Sequence, residues 1–77
     1  MTNLKRIRTA TGLSQSQLAE AAEMSLRTLQ HYEQGTRDIN KAQGLTLLTL
    51  ARALNVSIED ILELENIKET KKADGAL

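Results

Sequence analysis

Seventy-seven residues suffice for one small domain, and 40% hydrophobic with 26% charged residues allow a modest core under a well-solvated surface. The absence of cysteine excludes disulfides, thiolate metal sites and cysteine nucleophiles, and it suits a reducing cytoplasm. His31 is the sole histidine, so no metal site is expected, and no stretch approaches the roughly 18 apolar residues of a membrane span or resembles a secretory signal. The net charge of zero argues mildly against a polyanionic partner. Its distribution argues the other way: residues 1–41 hold six basic side chains (Lys5, Arg6, Arg8, Arg27, Arg37, Lys41) against four acidic ones, and the remainder reverses that balance. An anion-binding surface is expected in the N-terminal half.

Five helices are expected in chain order. Leu4 and Ile7 share one face of the first, with Thr2 or Asn3 at its start and Gly12 as a left-handed stop. Ser14-Gln15-Ser16-Gln17 fits a capping box opening the second helix, whose buried side is Leu18, Ala19 and Ala22. After a tight link at Glu23-Met24, Ser25 caps a third helix that runs to about Gln34, buries Leu29 and Tyr32, and stops at Gly35. Thr36 to Ile39 read as a loop. The fourth helix is predicted from about Asn40 to Leu54, on the spacing of Leu47, Leu50, Ala51 and Leu54, with Asn55 as a left-handed terminator. Ser57 caps a fifth, carrying Ile58, Ile61, Leu62 and Leu64. The chain has no proline to interrupt these helices, and the reading is all-α. Residues 1–66 are taken as the domain and 67–77, rich in Lys, Glu, Ala and Gly, as a disordered tail.

Two short helices joined by a link of a few residues have the form of a helix-turn-helix. Ala19 is small where the second and third helices must approach, Met24 turns back toward the core, and Leu29 anchors the third helix. That leaves Leu26, Arg27, Gln30, His31 and Gln34 facing outward. Arg and Gln are the side chains suited to guanine and adenine edges, although any solvated helix face also carries polar residues.

From Leu4 to about Leu64 the chain resembles the phage-repressor/Cro (xenobiotic-response-element) family. The resemblance rests on Leu13-Ser14-Gln15-Ser16-Gln17-Leu18-Ala19, Met24-Ser25, Tyr32-Glu33-Gln34-Gly35 and Leu50-Ala51-Arg52-Ala53-Leu54-Asn55-Val56-Ser57, in that order. It implies a five-helix lambda-repressor-like DNA-binding domain and a sequence-specific transcriptional regulator, acting as a repressor on double-stranded DNA, with helix three in the major groove. By the same resemblance Leu26, Arg27 and His31 occupy base-reading positions, with Gln30 adjacent. Gln15, Thr28, Arg37 and Lys41 occupy backbone or mixed contact positions, and Arg8 with Glu33 a structural salt bridge.

Two features depart from the family pattern. Glu23 stands where glycine is usual at the turn, a backbone position of positive φ where a side chain costs about 1 kcal/mol. The loop also lacks the proline often found before helix four; Asp38-Ile39-Asn40-Lys41-Ala42 replaces it and is expected to start that helix earlier.

A homodimer on a palindromic operator is expected, built on Ile58, Ile61, Leu62 and Leu64, because these four cannot all face one small core. Ile67 would extend that patch, and the family commonly pairs through this end. Two rival readings remain at this level: an antitoxin of the same fold whose tail binds a protein partner, and a helical protein-interaction module without DNA. No enzyme is expected, since the chain has no catalytic constellation, no phosphate-binding glycine loop and too little length for a deep pocket. No cofactor is expected either.

Overall fold

The computed structural model describes residues 1–64, and among them every regular element is helical: α1 (Asn3–Thr11), α2 (Gln15–Ala21), α3 (Leu26–Gln34), a 3-10 turn (Ile39–Lys41), α4 (Gly44–Leu54) and a one-turn α5 (Ile58–Ile61). Side-chain oxygens start the first three helices. Thr2 Oγ1 accepts from the Lys5 N–H at 3.2 Å, and Ser25 Oγ from the Thr28 N–H at 3.1 Å. Ser14 and Gln17 form the reciprocal capping box, at 3.1 and 2.8 Å.

Three helices end in one way. At the close of α1, α2 and α4, a left-handed residue is followed by an apolar one whose N–H reaches back five positions: Leu13 to the Arg8 carbonyl, Met24 to Ala19 and Val56 to Ala51. The left-handed residues are Gly12, Glu23 (φ 57°) and Asn55 (φ 59°). This paired turn satisfies the last free carbonyls of the helix and swings the apolar residue onto the core. Leu13, Met24 and Val56 all pack against it. The positive φ expected at Glu23 is therefore present, without glycine.

Each helix supplies one residue to the innermost layer: Leu4, Leu18, Leu29, Leu50 and Ile61 are fully buried. Ala19, Ala22 and Ala51 let the backbones approach around them, and Tyr32 and Ile39 close the sides. With no phenylalanine or tryptophan in the chain, five aliphatic side chains from five helices form the centre.

Two boundaries differ from the sequence expectation. Helix four begins at Gly44, not near Asn40. Asp38 Oδ1 accepts from the Asn40 N–H at 2.9 Å and starts a separate 3-10 turn, after which Ala42 and Gln43 are extended. The Asn40 side chain is occupied elsewhere: it donates to the Glu63 carbonyl and accepts from the Glu63 N–H, both at 2.9 Å. Helix five ends after Ile61, because Leu62 is extended (ψ 155°). Leu62 and Leu64 thus leave the helix on which they were placed. The extended exit at Leu62 is held from the other side by Asn3, which donates its side-chain N–H to the Leu62 carbonyl at 2.9 Å. The expected boundary at residue 66 and the tail 67–77 lie outside the described residues.

Candidate nucleic-acid interface

The orientation of α3 follows from what it buries. Leu29, Tyr32 and Glu33 point inward, so the opposite face carries Leu26, Arg27, Gln30, His31 and Gln34. Leu26 is 39% exposed and Arg27 is exposed, whereas Gln30 and His31 are half-buried by neighbouring side chains. His31 Nδ1 lies 2.9 Å from Thr36 Oγ1 in the following loop, which fixes the ring and leaves Nε2 as its free nitrogen. The four residues expected to read bases share one surface.

Glu33 is the buried charge of the described residues. Arg8 meets it with a bidentate pair, Nε to Oε2 at 2.6 Å and Nη2 to Oε1 at 3.1 Å, and spends its remaining nitrogen, Nη1, on the Leu13 carbonyl at 2.8 Å. A fork of this kind fixes angle as well as distance. It ties α3 to α1 and to the start of the α1–α2 link, so the outward face of α3 is held at a fixed angle to the domain. Thr2 adds a further tie, its hydroxyl donating to the Glu33 carbonyl at 3.0 Å.

The residues expected to touch a phosphate backbone divide into two groups. Thr28, Arg37 and Lys41 line one open groove of about 650 Å³ between α3, the loop and the amino end of α4. Arg37 is steadied there by the Tyr32 ring, its guanidinium carbon 5.4 Å from the centroid. Asp38 also lines the groove, so its charge is mixed rather than purely basic. Gln15 does not join this group. Its amide lies beside Glu33 and Gln30 at the seam of α2 and α3.

Sequence reasoning missed two groove residues, Gln43 and Thr46. They flank the true start of α4, where the first N–H groups lack intrahelical partners and suit an anion. Placing that start at Asn40 hid them. The signal was available in Gly44, a poor residue for a helix interior and an acceptable one for its first turn.

The four residues expected at a dimer interface separate as well. Ile61 is fully buried in the core and offers no surface, because the single turn of α5 directs it inward. Ile58 and Leu62 are half-buried against the core, and Leu64 is 46% exposed. Two other apolar residues are open: Leu45 and Leu48, one turn apart on α4, are 70% and 37% exposed.

Among the described residues no helix is long and apolar enough to cross a membrane, and no cluster of His, Asp or Glu could hold a metal ion. In comparisons with known proteins, a family model described as helix-turn-helix matches residues 4–61. No curated protein and no solved structure matches the chain.

Proposed function

The chain belongs to the helix-turn-helix family of the phage-repressor/Cro type, whose members are DNA-binding transcription regulators, and we propose that it is a sequence-specific repressor reading the major groove with α3. The observation that carries this reading is the single outward surface of Leu26, Arg27, Gln30 and His31, held at a fixed angle by the Arg8–Glu33 fork. Arg27 supplies two donors to guanine O6 and N7, and Gln30 an acceptor and a donor to adenine. Leu26 offers an apolar contact to a thymine methyl.

Phosphates on one flank enter the groove of Thr28, Arg37 and Lys41, where the amino end of α4 adds backbone N–H groups. Base contacts set the sequence and these contacts set the register. Zero net charge is compatible with this division, because it needs only Arg27, exposed on α3, and Arg37 and Lys41, which line the groove. One α3 covers only a few base pairs. A two-fold dimer repeats the contact about 34 Å along the duplex and reads a palindrome. Ile58, Leu62 and Leu64 supply the apolar surface for that pairing, and repression follows from occupancy of the operator.

Selection from random duplex oligonucleotides, followed by titration of the selected and scrambled duplexes at rising salt, tests the reading. A palindromic selected site bound at least about 10³-fold more tightly than scrambled DNA is the expected result. Failure to enrich any sequence overturns it.

A further inference from the structure

Four side chains form a chain of hydrogen bonds from the interior to the outward face of α3. Arg8 donates twice to Glu33, Gln15 Nε2 donates to Glu33 Oε1 at 3.0 Å, and Gln30 Nε2 donates to Gln15 Oε1 at 3.3 Å. The direction of the chain is set at its buried end. A carboxylate bonded to a guanidinium only accepts, so Gln15 must turn its NH₂ toward Glu33. Its oxygen then faces Gln30, which must in turn present its own NH₂. Inverting either amide would place two acceptors in contact.

We propose that Glu33 and Gln15 are positioning residues that fix the hydrogen-bonding polarity of Gln30, so that Gln30 selects adenine over guanine at one base pair of the operator. The proposal rests on the reading of α3 as the element in the major groove. With one N–H engaged by Gln15, Gln30 retains its oxygen and a single N–H. Adenine offers a donor at N6 and an acceptor at N7, which match that pair, whereas guanine offers two acceptors, O6 and N7. An untethered glutamine has two N–H groups to give guanine; the tethered one does not. Gln15 and Gln30 are both half-buried, so the link is shielded from competing water. Glu33, which never reaches the DNA, determines what Gln30 can read.

The experiment compares the parent with Gln15→Leu, Gln30→Ala and the double variant. Each is measured against the selected duplex and against duplexes in which adenine is replaced by guanine, one position at a time. Gln15→Leu severs the relay and leaves the Arg8–Glu33 fork in place; Gln15→Met serves as a second break, and thermal melting checks that each variant folds. The expected result is a parent preference of about tenfold for adenine at one position. Gln30→Ala abolishes it, Gln15→Leu reduces it at least about threefold, and the double variant matches Gln30→Ala alone, as coupling through one network requires. The relay is overturned if Gln15→Leu weakens adenine and guanine duplexes equally, or if the two substitutions act independently. Failure of both Gln15 variants to fold would make that residue structural and count against the relay. A parent with no base preference anywhere would instead overturn the DNA reading beneath it.

Discussion

Arg8 and Glu33 meet through two hydrogen bonds, 2.6 and 3.1 Å long, with side chains 12% and 1% exposed. An ion pair so nearly buried is asymmetric in its energetics. Removing both partners can be close to neutral, whereas removing one leaves an uncompensated charge and destabilises by about 3–5 kcal/mol. Arg8→Met is therefore expected to lower stability by about 3 kcal/mol or more, and Arg8→Met with Glu33→Met to be less destabilised than the single change. Urea denaturation of Arg8→Met, Glu33→Met and the double variant measures this. Strict additivity would mean that the two side chains are energetically independent.

Glu23 adopts φ 57° at the end of α2, in the position where glycine relieves a side-chain clash. It also places a negative charge beside the carboxyl end of a helix, which the helix dipole disfavours. Glu23→Gly is expected to stabilise the domain by a few tenths to about 1 kcal/mol, the gain being offset in part by the greater freedom of glycine in the unfolded chain. Chemical denaturation checks the sign. A loss of stability would mean that the strain at this turn is smaller than the entropy glycine adds.

How much of this was readable from the sequence depended on how local the cause was. The Ser14–Gln17 box, the stops at Gly12 and Asn55, and the strained Glu23 all follow from side chains acting within a few residues of themselves, and all are present. Local preference alone starts α4 near Asn40, a good helix opener in isolation, but its side chain is drawn into bonds with Glu63, twenty-three positions away. Helical periodicity continued through Leu64 turns Ile61 toward a surface, yet α5 lasts one turn and buries it. The outward face of α3 could be read from its buried residues. The relay through Gln15 could not, since it joins residues from three helices.

Arg27 is exposed on α3 and makes no hydrogen bond that supports the fold among those of the described residues. Arg27→Ala should leave the melting temperature within about 2–4 °C of the parent, as surface substitutions generally do. Loss of a bidentate base contact should relax the preference at one base pair by roughly 1–3 kcal/mol. Competition binding with single-position duplex variants reads this directly. Equal weakening at every position would reassign Arg27 to the phosphate backbone.

Arg37 and Lys41 should behave in the opposite way. Both line the groove beside α3. Each Ala variant is expected to weaken specific and scrambled DNA alike, and to flatten the plot of log affinity against log salt by about 0.9 per contact removed. The measurement is a fluorescence titration at four or five salt concentrations. An unchanged slope for both variants would move the phosphate contacts away from this groove.

The proposed dimer is best tested at Leu64. With Ile61 withdrawn into the core, the apolar surface at this end comes from Ile58, Leu62 and Leu64, of which Leu64 is the most open at 46% exposed. A charge there sits in water in a monomer and costs little. In an interface it would be desolvated without a partner, a penalty of several kcal/mol that pairing could not absorb. Sedimentation at micromolar concentration is expected to show a dimer for the parent and a monomer for Leu64→Asp, with unchanged melting at dilution. Leu45→Asp is the control, because Leu45 is 70% exposed on α4, on the surface shared with Ala22, Glu23 and Met24. If Leu45→Asp dissociates the dimer and Leu64→Asp does not, the two-fold axis passes beside α4. A parent that remains monomeric would leave pairing to the operator itself, and half-site binding would then be cooperative only on DNA.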